Sequence, residues 1–153
     1  MKGFDYNLSI TGNETFDEMN TIIQQMVELD SDLEYSIYEN SKIFGVLQRA
    51  HSIHSRKLEK LTTQYDKVRL DRWRRYVGKW TQERYKAEPM PEIPLKTDVD
   101  KYLNTDDIVV EMKHLLTEQD RVVKLIEDSQ KAWSGRSYMI KTLIDYQKYK
   151  AGV

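Results

Sequence analysis

All three prolines of this 153-residue chain fall between positions 89 and 94. Proline is the one residue that both removes a backbone donor and clashes with the preceding helical turn. The segment EPMPEIPLKT therefore reads as a connector, and the stretches on either side are free to form long helices. Thr15 followed by Glu18 is a capping-box pattern that opens a short helix within 14–29, with Phe16, Met19, Ile22, Ile23, Met26 and Val27 on one side. Ser31 followed by Glu34 repeats the pattern and predicts one long helix within 31–87, from about Asp32 to Lys86. Gly45 and Gly78 are its weak points, each costing on the order of 1 kcal/mol relative to alanine. A connector over 88–104, with a short turn near Asp98–Leu103, leads to a final helix within 105–151 that Asn104 or Thr105 caps. No segment alternates cleanly between apolar and polar residues, and no Asn-Gly or Asp-Gly turn occurs. The expectation is an all-α single domain over 1–153, its residues 1–13 a polar lead-in.

Composition removes several classes of function. Hydrophobic content is 39% and charged content 32%, below and above ordinary globular usage. Cysteine is absent, which excludes disulfides and thiolate metal sites and fits a reducing compartment. The opening MKGFDYNLSITGNE lacks a secretory apolar core, and no stretch approaches about 18 apolar residues. A cytoplasmic protein without a membrane span is expected. The glycines are scattered, so no phosphate-cradling loop exists. His51 and His54 are three apart, but no third ligand stands at helical spacing, so they read as packed or surface histidines rather than a metal site. Asp98 with Asp100, and Asp106 with Asp107, suit helix starts. No Ser, His and Asp set suggests a nucleophile. The chain is not expected to be an enzyme, and no cofactor is expected.

Charge is distributed unevenly. Residues 1–40 hold nine acids and one base, whereas residues 56–86 hold eleven Lys/Arg against four Asp/Glu, in a chain of formal net charge −1. Within YDKVRLDRWRRYVGKWTQERYK, cations and aromatic rings interleave. Single-stranded nucleic acid asks for that combination: cations for phosphates, flat surfaces for bases. Projected at about 100° per residue, Phe44, Leu47, His51, His54, Leu58, Leu61, Tyr65, Val68, Arg69, Arg72, Trp73, Tyr76 and Trp80 share one stripe. Arg56, Lys60, Lys67 and Arg74 line the opposite side. Beyond Tyr65 the stripe mixes rings with guanidinium groups, which a dry core does not tolerate cheaply. This half is expected to face a wet groove, a partner or nucleic acid. The alternative is a solvated face laced with pairs such as Asp71 with Arg75.

The final helix carries a heptad seam: Ile108, Met112, Leu115, Gln119, Val122, Ile126, Ser129, Trp133, Arg136, Ile140, Leu143 and Gln147. Such a seam either packs on the chain's own long helix or joins subunits of a homo-oligomer. Met112, Leu115, Val122, Ile126, Trp133, Ile140 and Leu143 are the candidate oligomerisation residues.

Three segments resemble the UvsY family, the recombination mediators of T-even-like phages. The last turns, WSGRSYMIKTLIDYQKYKAG from Trp133 to Gly152, are similar to a Ser-Arg-aromatic-x-Ile-Lys-x-Ile run that ends in Ala-Gly in that family. Lys67-Val-Arg69-Leu70-Asp71 followed by Trp73 resembles its Lys-x-Arg-Leu-Asp-aromatic-aromatic segment. Leu29 to Tyr35, leading to Arg49-Ala-His51-Ser52, is the third match. The resemblance implies a helical homo-oligomeric ring, heptameric, that binds single-stranded DNA. It implies a non-catalytic task in recombination, repair and replication, performed in the host cytoplasm: loading a phage recombinase onto DNA covered by the phage single-strand-binding protein. Lys67 and Arg69 match the family's DNA-binding basic pair; Arg72, Trp73, Arg74, Arg75, Tyr76 and Lys79 join them by position in the strip. Arg72 departs from the family motif, which is aromatic there, and a register anchored on His51-Ser52 places Arg72 where Arg69 stands otherwise. The alternative is a coiled-coil scaffold that binds an acidic protein partner.

Overall fold

A computed structural model describes residues 3–153; Met1 and Lys2, the start of the expected lead-in, lie outside the described residues. Among the described residues five helices follow one another: α1 (Phe16–Val27), α2 (Leu33–Tyr76), α3 (Gln82–Ala87), α4 (Val99–Thr105) and α5 (Asp107–Lys150). Among the described residues there is no strand, and no helix is long and apolar enough to cross a membrane. The chain is all-α. Two compact units are distinguished in it: the described residues up to Lys57 with Gln119–Val153 form the first, and Leu58–Glu118 the second. Both α2 and α5 contribute to each unit.

Local signals set most helix ends, though not always at the expected residue. The capping box at Thr15 is present in full, its hydroxyl accepting from the Glu18 amide and the Glu18 carboxylate accepting from the Thr15 amide. At α2 the cap is Asp32 rather than Ser31, with Oδ1 accepting from the Glu34 and Tyr35 amides at 3.1 and 3.2 Å. At α5 it is Asp106 rather than Asn104 or Thr105, accepting from the Ile108 and Val109 amides.

The single helix expected through Lys86 is two. α2 stops at Tyr76, where Gly78 adopts φ +78. The Gly78 amide then donates to the Arg75 carbonyl and the Lys79 amide to the Arg74 carbonyl, the paired bonds of a Schellman stop that glycine alone enters without strain. Gly78 is therefore a terminator, whereas Gly45 sits inside regular helix. All three prolines lie between α3 and α4.

In the first unit, α1 buries Met19, Ile23 and Met26 against Ile43, Val46, Leu47 and Ala50 of α2 and Val122 and Ile126 of α5. The segment before α1 is part of this core: Ile10 is buried, with Phe4, Tyr6 and Leu8 packed alongside. It is not a lead-in. Two polar members of the α5 seam are buried and partnered. Gln119 Nε2 donates to His54 Nδ1 and to the His54 carbonyl, both at 3.0 Å. Arg136 Nη1 donates to the Ser36 carbonyl at 2.7 Å and to the Asn40 side chain. His54, whose pKa burial depresses against the opposing pull of Glu14, turns Nε2 to Glu14 at 3.0 Å, and His51 meets Glu127 at 3.2 Å.

This packing revises the expected assembly seam. Val122, Ile126 and Ile140 are buried within the chain itself, and Trp133 packs on the same core while its Nε1 donates to the Asn40 carbonyl. The heptad spacing there serves α2, whose apolar face is the nearest available partner. Met112 is half-buried, and Leu115 (54% exposed) and Leu143 (37%) stay on the surface.

The two interior glycines should respond oppositely to alanine. At Gly78 a Cβ would be left-handed and 3.2 Å from Ile93 Cδ1, so Gly78→Ala should destabilise by about 1–2 kcal/mol. At Gly45 the nearest atom is the flexible end of Arg49, 3.7 Å away, so Gly45→Ala should gain about 0.5–1 kcal/mol. Urea unfolding of both variants, followed by circular dichroism, checks the pair.

Candidate nucleic-acid interface

The second unit is built around the last turns of α2. Tyr76, Val99, Leu103 and Val109 form its buried centre, with Tyr65, Val68, Trp73, Val77 and Met90 packed against it. The mixed stripe of α2 thus turns inward onto α4 and the start of α5, contrary to the expectation of a wet groove. Arg72 is only 6% exposed. Its Nε donates to Asp106 Oδ2 at 2.8 Å, and Nη1 and Nη2 grip the Glu88 carboxylate, both at 2.8 Å. Tyr76, 7% exposed, donates its hydroxyl to the same Asp106 oxygen at 2.7 Å. A charge-assisted pair of this kind is what makes a buried guanidinium tolerable.

The pKa shifts follow from this network. The bonds Arg72 donates to Glu88, opposed by burial and aided by Asp106, raise Arg72 above its ordinary value. Burial alone would raise Asp106, but bonds from Arg72, Tyr76 and the Val109 amide outweigh it and hold the carboxyl below the usual range. Arg72 lowers Glu88 likewise.

The candidate residues therefore part into two groups. Arg72 and Tyr76 belong to the internal network and are not surface contacts. Arg75 is half-buried, with Nε 3.6 Å from Glu88 and Nη2 donating to the Pro89 carbonyl at 3.3 Å. Trp73 packs on the unit's core, and the exposed Lys79 ammonium lies 5.3 Å from its ring centre. Arg69 is half-buried and donates to Asn104 at 3.2 Å. Lys67 and Arg74 are exposed and have no acidic partner among the described residues. With Lys60, also exposed, they recur every seven residues, about 10 Å apart along one face of α2.

Beyond the Gly78 stop the chain folds back along α2. Thr81 caps α3, and Tyr85 donates its hydroxyl to the Arg75 carbonyl at 2.7 Å. Trp80 Nε1 donates to the Asp71 carbonyl at 2.9 Å. Asp71 does not pair with Arg75, four residues on; it takes both terminal nitrogens of Arg84 at 2.6 and 2.8 Å. Three of these partners were not visible in the sequence. Arg84, Glu88 and Asp106 stand 13, 16 and 34 residues from the groups they bind, and helical periodicity pairs only residues a turn or so apart. Among the described residues no cluster of three or more acidic or histidine side chains could hold a metal ion.

A family model described as "Recombination, repair and ssDNA binding protein UvsY" matches residues 21–153. The chain belongs to the UvsY family. Two crystal structures of the bacteriophage T4 recombination mediator protein UvsY share the family fold with it. One aligns at a TM-score of 0.74 with 15% identity, covering 90% of this chain and 99% of that one. The other gives 0.71 with 18% identity, covering 91% and 99%. No curated protein sequence matches the chain. The family description names binding rather than a reaction.

Asp106 is the member of this region whose loss should be felt most. Asp106→Asn keeps the shape but leaves Arg72 buried with Glu88 alone, which should cost about 3 kcal/mol. Because the folded pKa values of Asp106 and Glu88 are lowered, their stabilisation is complete above the ordinary values of 3.8 and 4.5 and drains away as pH falls below them. Unfolding measured from pH 7 down to pH 3 should show a shallower acid limb in the variant than in the wild type.

Proposed function

We propose that this chain binds single-stranded DNA through the exposed cations of the second unit and acts as a recombination mediator. In that role it loads a phage recombinase onto DNA covered by a single-strand-binding protein, in the host cytoplasm. The observation that carries the reading is the residue of positive charge left after the internal pairs are formed. Lys67 and Arg74 have no acidic partner among the described residues and stand on one face of α2, with Lys60 on the same face, and membership of a family described as binding single-stranded DNA supports the assignment. Arg69 lies on the other side of α2, half-buried and donating to a neutral asparagine, and is proposed as a separate phosphate contact rather than a member of that face. Lys79, exposed beyond the helix end with its ammonium over Trp73, adds a further cation. Arg75, its charge shared with Glu88, is a secondary contact.

A few cations on one subunit bind weakly. Copies arranged in a ring, heptameric as the resemblance implies, would place the same strip repeatedly along one strand. Linkage of that kind raises avidity by roughly 10²–10⁴ without any new contact. The apolar side chains of α5 that stay accessible, Ile108, Met112 and Leu115 in the second unit and, separately, Met139, Leu143 and Tyr146 in the first, are the two patches we assign to assembly. Val122, Ile126 and Ile140 are left to the chain's own core.

Titration with fluorescent oligo-dT and with a matched duplex at several salt concentrations tests the proposal. The wild type should prefer the single strand, and its affinity should fall with salt by about 0.7 in log–log slope for each phosphate neutralised. Lys67→Ala with Arg69→Ala should weaken binding and flatten that slope by about 1.4 for each subunit engaged on the strand, with the oligomer intact by sedimentation. Salt-sensitive binding to an acidic protein and none to DNA would instead favour the scaffold reading.

A further inference from the structure

Trp80 is one of the two tryptophans that the basic strip offers for stacking, and its ring is already taken. The Arg84 guanidinium lies 3.7 Å from its centre, and Arg72 and Arg75 approach the same ring at 5.3 and 5.8 Å. The indole is the base of a stack, not its top.

Arg84 is held on three sides. One face rests on Trp80, one edge is bound by both oxygens of Asp71, and its backbone belongs to α3, whose cap, Thr81, accepts from the Arg84 amide. A long side chain ordinarily loses rotamer freedom when it meets a ligand; here much of that loss precedes any ligand. Asp71 offsets the charge, which leaves Arg84 a poorer phosphate contact than Lys67 or Arg74. Its plane is unaffected, and the side chain remains 47% exposed. The contacts on the guanidinium are Trp80 at one face and Asp71 at one edge; among the described residues no ring or carboxylate contact falls on the face turned from Trp80.

We propose that this outer face is a stacking platform for one base of a bound single strand. The inference rests on the single-stranded DNA reading above and adds a base contact to its phosphate contacts. Guanidinium planes stack on nucleobases as aromatic rings do. Paired bases in a duplex present no free face, so the platform would contribute to strand preference as well as affinity.

The test compares oligo-dT with an abasic oligomer of equal length and charge, using the full-length protein as it assembles. The wild type should bind oligo-dT at least about fivefold tighter than the abasic strand. Arg84→Lys keeps the charge and removes the plane; it should bring the ratio close to one with abasic binding unchanged. Arg84→Gln keeps a flat group without charge and should retain more of the ratio than Arg84→Lys, the order opposite to that of a purely ionic contact. Circular dichroism confirms that both variants keep their helices. A ratio unchanged in Arg84→Lys, or equal losses on both strands, would overturn the platform. A wild-type ratio of one would also overturn it while leaving the phosphate reading in place, and failure to bind either strand would remove both.

Discussion

A guanidinium cannot be taken out of water without a counter-charge, and the construction of the second unit turns on that requirement at Arg72. Asp106 supplies one carboxylate from the joint between α4 and α5, and Glu88 supplies the other from the end of α3. Three elements are thereby tied to one side chain of α2. Asp106 performs two further tasks, capping α5 through its other oxygen and receiving the Tyr76 hydroxyl. The apolar centre of the unit is small, four buried side chains with five more packed on it, so polar attachment carries an unusual share of its definition.

The first unit solves the same problem with different chemistry. Arg136 is buried beside Glu39 and discharges much of its hydrogen bonding on a backbone carbonyl and an asparagine. Gln119 reads the backbone and ring of His54. Both are polar interruptions of an otherwise apolar α5 seam, and each meets a specific group on α2. A polar residue in such a seam is costly when misaligned, so the two together fix the register of the helices within the chain.

Pairing inside the second unit is also what leaves the surface proposed for single-stranded DNA. Of the cations concentrated between 56 and 86, some are consumed by Glu88, Asp106 and Asp71, and the remainder define the strip. The same subtraction changes the meaning of the aromatic residues. Trp73 packs on the unit's core, Tyr76 is buried against Asp106, and Trp80 carries an arginine on its ring. Arg84, which no helical projection singled out, emerges as a surface group because the Gly78 stop folds its short helix back along α2.

Much of the fold was legible in the residues. The all-α class followed from the absence of strand patterns and the confinement of proline to one segment; the Thr15 capping box and the buried face of α1 followed from spacing alone. These are local properties, decided by neighbours within a turn or two. The Gly78 stop was legible in part, since glycine marks a weak point whether or not the following residues close the helix. Family membership was carried by the order of short motifs along the chain. What the sequence could not decide was which cations are free. That depends on acids 13 to 34 residues away, brought alongside α2 by a chain reversal and by the packing of α4 and α5. Charge composition is fixed by the residues, but the charge that remains available to a ligand is fixed only once the tertiary structure has paired the rest.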